Sequence, residues 1–78
     1  MKIEILGTGC AKCKALEEAA KQAVAQSGKF AQVEKVDDIQ KIMAYGVMST
    51  PGLVIDGKVV SVGKLLSVAE IVNLIKAQ

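Results

Sequence analysis

The sequence predicts an α/β fold in the order β-α-β-α-β-β-α, a four-stranded mixed sheet with helices on both faces. Three observations carry that expectation. Apolar residues switch between strand-like and helix-like spacing along the chain, Asp56-Gly57 divides two β-branched runs, and cap-forming residues open the later helical stretches. The first two strands, joined through a helix, should lie parallel, and the last two antiparallel. With 78 residues, 51% of them apolar, the chain is expected to form one folded domain over residues 1–78.

Lys2-Ile3-Glu4-Ile5-Leu6 reads as a short strand. Leu16, Ala19, Ala20, Ala23 and Val24 then recur at helical spacing, with Lys14, Glu17, Glu18, Lys21 and Gln22 on the other face. This helix should run from about Ala11 to Ser27 and stop at Gly28, a residue suited to a left-handed cap. Phe30, Val33 and Val36 mark a second strand of imperfect period. Asp37 or Asp38 suits the next N-cap, with Gln40 three beyond Asp37 as in a capping box. Ile39, Ile42, Met43 and Val47 supply an apolar stripe, and Gly46 can end that helix; Tyr45, Met43 and Met48 read as packing residues. Leu53–Ile55 and Lys58–Val62 flank Asp56-Gly57, which fits a type I′ turn needing positive φ at both positions. Ser67 and Glu70 form a second capping box, Leu66 and Ile71 a hydrophobic staple, and Ile71, Val72, Leu74 and Ile75 the buried side of a last helix.

Charge narrows the function classes. Ten lysines stand against eight acids for a net charge of +2, and the chain has no Arg, no His and two aromatic residues. Base-edge reading by Arg and base stacking on aromatics are therefore excluded, and nucleic acid is not an expected partner. No apolar run approaches the ~20 residues of a membrane span. The first six residues carry Glu4 and do not read as a signal peptide, so the expected location is cytoplasmic. A short hairpin edge gives no reason to expect a dimer, and a monomer is expected.

Both cysteines lie in Gly7-Thr8-Gly9-Cys10-Ala11-Lys12-Cys13, where strand pattern gives way to helix pattern. A bridge across three residues closes almost no loop and adds little by constraining the unfolded chain, so the spacing suits chemistry better than architecture. Disulfide exchange needs one accessible, activated thiolate and a second thiol within reach. Unpaired N–H groups and the positive dipole end of a helix favour a thiolate at Cys10, and Lys12 and Lys14 add positive charge. Cys13, at i+3, can reach back to resolve a mixed disulfide on Cys10. Gly7 and Gly9 let the chain bend and leave the Cys10 sulfur uncovered. Metal chemistry is the alternative: the same two thiolates suit Cu(I), as in small soft-metal carriers. Zinc would need further ligands, and there is no third Cys.

The element order, Cys10-Ala11-Lys12-Cys13 opening a helix, and Thr50-Pro51 leading into a hairpin together resemble the thioredoxin superfamily. Tyr45-Gly46-Val47-Met48-Ser49-Thr50-Pro51 is similar to thioredoxin's run into its cis-proline, and the length resembles glutaredoxin. The chain also resembles the short prokaryotic thioredoxin-like proteins known as redox-active disulfide protein 2, over essentially its whole length. The resemblance implies a cis Pro51 beside the cysteines, a Thr50 backbone that pairs with an extended substrate, and a Gly63 that lines the peptide groove; Gly63 also reads as a plain turn glycine. Glu4, six residues before Cys10, stands where thioredoxin carries a buried Asp that moves protons at the resolving cysteine. A desolvated Glu4 would serve Cys13 in that way, and an edge-facing Glu4 would be a solvated charge.

The implied activity is reduction of protein or small-molecule disulfides by a Cys10/Cys13 thiol–disulfide oxidoreductase. Its partners would be a disulfide-bearing protein and a flavin-dependent thioredoxin-type reductase, and the chain would carry no cofactor of its own. A thioredoxin fold used for docking or sensing without turnover is a further reading. No Trp precedes Cys10, no Pro lies between the cysteines, and the Gly-Gly-x-Asp by which glutaredoxins hold glutathione is missing after Val62.

Overall fold

The computed structural model describes residues 1–78 and contains β1 (Lys2–Leu6), α1 (Ala11–Ser27), β2 (Gln32–Val36), α2 (Ile39–Ala44), β3 (Gly52–Ile55), β4 (Lys58–Val62) and α3 (Val68–Lys76). One four-stranded sheet has the order β2-β1-β3-β4. β1 runs parallel to β2 and antiparallel to β3, and β3 is antiparallel to β4. Ile3, Glu4, Ile5 and Leu6 are all buried, because β1 has a strand on each side and helices on both faces.

The alternation of β1 and β3 divides the core into two layers. Ile3, Ile5, Leu53 and Ile55 face α1 and α3, meeting Leu16, Ala20, Ala23, Ile71 and Ile75. Leu6 and Val54 face the other way and meet Ile42 of α2 and Val47 beyond it. Full burial of a side chain such as Leu16 contributes about 1.5–3 kcal/mol. No helix is long and apolar enough to cross a membrane.

Local chemistry fixes the ends of these elements. Gly28 closes α1 at φ 73°, a left-handed conformation that costs a Cβ-bearing residue more. Asp56 and Gly57 turn the β3–β4 hairpin at φ 50° and 81°. Asp56 also accepts the Lys2 N–H on Oδ1 at 2.8 Å, and its own N–H donates to Lys2 O at 2.8 Å, which ties the turn to β1. In the hairpin, Leu53 pairs with Ser61 but Val54 with Val59, so Val60 is an extra residue in a bulge. The Ser61 Oγ is buried there with no hydrogen-bond partner in the chain.

Several expectations need correction. Phe30 is not in the second strand: it precedes β2 and is 95% exposed. Within the five-residue edge strand, Val33 packs toward the larger apolar cluster and Val36, on the opposite face, toward the smaller one. The N-cap of α2 is Asp38, whose Oδ1 accepts the Gln40 N–H at 2.9 Å, rather than Asp37 in a capping box. α2 spans only six residues and turns Ile42 inward, leaving Ile39 and Met43 exposed. Met48 follows the helix and is 91% exposed, so neither methionine is a packing residue.

The capping box of α3 forms as its sequence indicates: Ser67 Oγ accepts the Glu70 N–H at 3.1 Å, and Glu70 Oε1 accepts the Ser67 N–H at 3.0 Å. These bonds from Ser67, with Lys64 nearby, hold the Glu70 carboxyl below its ordinary range. A depressed folded-state value means that the Glu70 contribution is present above the ordinary carboxylate range and is lost as pH falls through the lowered value. Ser67→Ala should lower the urea unfolding free energy at neutral pH by about 1 kcal/mol. The deficit should shrink in acid as Glu70 protonates; an equal deficit at acidic and neutral pH would show that the cap does not act through Glu70.

Candidate active site

β1 ends at Leu6, and the Gly7 N–H still donates to Val36 O at 2.9 Å, extending the parallel pairing by one residue. Gly9, at φ 91°, then bends the chain into α1. Cys10 occupies the N-cap in extended conformation, and its Sγ accepts the Cys13 N–H at 3.2 Å. Its carbonyl accepts the Lys14 N–H at 3.0 Å, the first bond of the helix. The Cys10 sulfur thus takes the place of the oxygen that usually caps a helix.

Cys10 and Cys13 are joined as a disulfide, with their Cα atoms 5.1 Å apart. Their surroundings differ sharply. Cys10 is exposed, whereas Cys13 is 3% exposed and packs on Gly7. A Cβ at Gly7 would collide with Cys13 Sγ and would stand 3.9 Å from Thr50 Cβ, so Gly7 brings the disulfide and the Thr50 loop to one spot.

The Thr50-Pro51 peptide is cis, and Pro51 is buried. Pro51 O accepts the Gly63 N–H at 2.8 Å. Gly63 adopts φ 69°, and a Cβ there would approach Ser49 Cβ to 3.1 Å, so both conformation and space favour glycine. Cys10, Cys13, Thr50, Pro51 and Gly63 are therefore connected through short contacts. Lys12 is exposed and makes no ion pair.

Glu4 is 8% exposed, the one charged residue in the buried set. It lies in the layer below α2 and accepts the Tyr45 O–H on Oε1 at 2.7 Å; it makes no hydrogen bond with Cys13. That bond raises the Tyr45 pKa above 10.0, helped by desolvation and by the negative charge of Glu4. Tyr45 thus packs against the smaller core layer, as expected, and is in addition the polar partner of Glu4. Sequence reasoning missed the pair because its members lie 41 positions apart. It also missed Lys35, whose Nζ lies 3.9 Å from the point a Gly9 Cβ would occupy and brings positive charge beside the Cys10 turn.

Ile39, Met43, Met48, Thr8 and Thr50 border an open cavity of about 310 Å³ next to this turn. The exposed side chains of α2 therefore rim the site. No three His, Cys, Asp or Glu side chains gather as a metal-binding group, and the soft-metal carrier reading gains no support from the donor set.

Residues 1–76 match the thioredoxin domain family model. The chain belongs to the thioredoxin family. A thioredoxin of Methanothermobacter thermautotrophicus is 40% identical over 75 residues, covering 96% of this chain and 97% of that protein. A thioredoxin of Methanocaldococcus jannaschii is 41% identical over 75 residues, covering 96% of this chain and 86% of the relative. Thioredoxin-family membership and the Cys10–Cys13 disulfide together assign the chain to thiol–disulfide oxidoreductases in general.

Tyr45 is the only Tyr and there is no Trp, so tyrosinate absorbance reports this residue alone. Its titration midpoint in the folded protein should lie above 10.0 and move back toward that value in Glu4→Gln. A midpoint unaffected by Glu4→Gln would break the link between the two residues. Because the folded value is raised, stability from this contact is present below pH 10 and is lost as pH rises through the folded value.

Proposed function

We propose that the chain reduces disulfides of protein substrates, with Cys10 as nucleophile and Cys13 as resolving thiol. The carrying observation is the asymmetry of the two sulfurs: one exposed at the helix N-cap, the other buried beneath it. In the dithiol state the helix N-terminus and the nearby lysines favour a thiolate at Cys10. That thiolate attacks one sulfur of the target disulfide and forms a mixed disulfide, and the other target sulfur leaves as a thiolate and takes up a proton. Cys13, after losing its proton, attacks Cys10 Sγ; the second target thiolate leaves, and the Cys10–Cys13 disulfide remains. Two electrons pass to the target, and the target gains two protons.

Glu4 is the acceptor proposed for the Cys13 proton, by virtue of its burial on the strand that leads to Gly7. Lys12 supplies charge without a fixed partner. Thr50 offers its backbone to an extended substrate beside the cis Pro51, and Gly63 keeps the far side of that groove free of a side chain. A thioredoxin-type, flavin-dependent reductase returns electrons to the disulfide, so the flavin belongs to the partner. The chain acts as a monomeric, single-domain protein of the cytoplasm.

Insulin reduction driven by dithiothreitol tests the reading. The wild type should accelerate precipitation of the insulin B chain, and Cys10→Ser should return the rate to background. Cys13→Ser should accumulate a mixed disulfide through Cys10, visible by mass spectrometry under non-reducing conditions. Wild-type turnover no faster than dithiothreitol alone, or undiminished turnover in Cys10→Ser, would overturn the assignment.

A further inference from the structure

The chain has three methionines, and their surroundings differ. Met1 is half-buried against the larger core layer. Met43 of α2 is 64% exposed, and Met48, beyond that helix, 91%. Apolar side chains exposed singly are ordinary, but Met43 and Met48 border one cavity, the opening of about 310 Å³ that they share with Ile39.

The cavity reaches the redox site through the chain itself. Thr8 and Thr50 belong to its border, and no charged side chain lines it. Thr8 stands two residues before Cys10, and two residues of extended chain span at most about 7 Å. Thr50 Cβ lies 3.9 Å from the point where a Gly7 Cβ would meet the Cys13 sulfur. A polypeptide joined to Cys10 by a mixed disulfide carries flanking residues across that span. A disulfide of a few atoms does not.

We propose that Met43 and Met48 form a methionine-oxidation site through which hydrogen peroxide lowers the reduction of polypeptide disulfides at Cys10. The proposal rests on the disulfide-reductase reading above. A thioether sulfur attacks one peroxide oxygen, the O–O bond breaks, and the S–O bond of a sulfoxide forms. The second oxygen leaves as hydroxide and collects the proton of the transferred oxygen, so the sulfur loses two electrons and the peroxide ends as one sulfoxide oxygen and one water. While Cys10 and Cys13 are joined, neither is a thiolate, and the two thioethers are the exposed nucleophilic sulfurs. A sulfoxide is polar and chiral at sulfur, whereas the thioether is apolar and flexible. Laying an apolar substrate residue on it strips water from the sulfoxide oxygen, and the cavity's lining holds no cation to take water's place.

Hydrogen peroxide applied to the disulfide form, followed by peptide mass mapping, should add oxygen fastest at Met48, then at Met43, and slowest at Met1. Dithiothreitol then regenerates the dithiol and leaves the sulfoxides in place. With both sites oxidised, kcat/KM for dithiothreitol-driven insulin reduction should fall by about tenfold. Single-turnover reduction of hydroxyethyl disulfide by the pre-reduced protein should keep its rate, which also certifies the fold and the Cys10 thiolate. The double variant Met43→Leu/Met48→Leu should give the same insulin rate before and after peroxide. An unchanged insulin rate in the oxidised wild type, an equal loss with both substrates, a loss in the double variant, or fastest oxidation at Met1 would overturn the oxidation site alone. Failure of the untreated wild type to reduce insulin would overturn the reductase reading and this proposal with it.

Discussion

A side chain at Gly7 would occupy the space of the Cys13 sulfur, and the missing Cβ is what lets α1 begin directly against the end of the central strand. Three features follow from that close approach. The N-cap falls on Cys10, so its sulfur receives a backbone N–H. Cys13 sinks to 3% exposure while Cys10 stays at the surface. Thr50, which precedes the cis Pro51, lies against the same point on which Cys13 packs. Any larger residue at Gly7 must push the helix start away from the sheet, because the colliding atom is a sulfur fixed by its bond to Cys10 and not a flexible side-chain end.

The layer beneath α2 is held differently from the layer beneath α1 and α3. Nine buried apolar residues fill the larger layer, whereas four fill the smaller one. A six-residue helix with one inward-facing Ile cannot anchor itself by apolar area alone. The Tyr45 bond to Glu4 adds a directional contact there, since a buried carboxylate without a donor is costly and one with a short hydrogen bond is not. The same contact fixes the start of the segment that leads through Met48 to Thr50 and Pro51, so the buried acid and the cis-proline loop share a mechanical link.

Much of this molecule was legible in its sequence because the deciding signals were local. Lys2–Leu6, Ala11–Ser27 and Lys58–Val62 fall where periodicity placed them, and Gly28, Asp56-Gly57 and Ser67-Glu70 perform the turns and caps that their residue types favour. The pair Cys10 and Cys13 was legible for the same reason, as spacing at a strand–helix junction. What was not legible depends on contacts between distant residues or on how far an element extends. Met43, Met48 and Ile39 look like core until α2 proves too short to bury them. The Glu4–Tyr45 pair joins a strand to a helix end, and the Val60 bulge is a property of pairing that neither strand reveals alone. Phe30 has the composition of a strand residue but lies just before β2, outside the ladder.

The proposed division of roles between the two thiols is most directly read by limited alkylation of the fully reduced protein. Iodoacetamide at neutral pH, followed by peptide mass mapping, gives the rate at each cysteine. A sulfur exposed at a helix N-cap and one packed beneath Gly7 should differ by at least about tenfold, with Cys10 the faster. Equal rates, or faster modification of Cys13, would contradict the division into attacking and resolving cysteines.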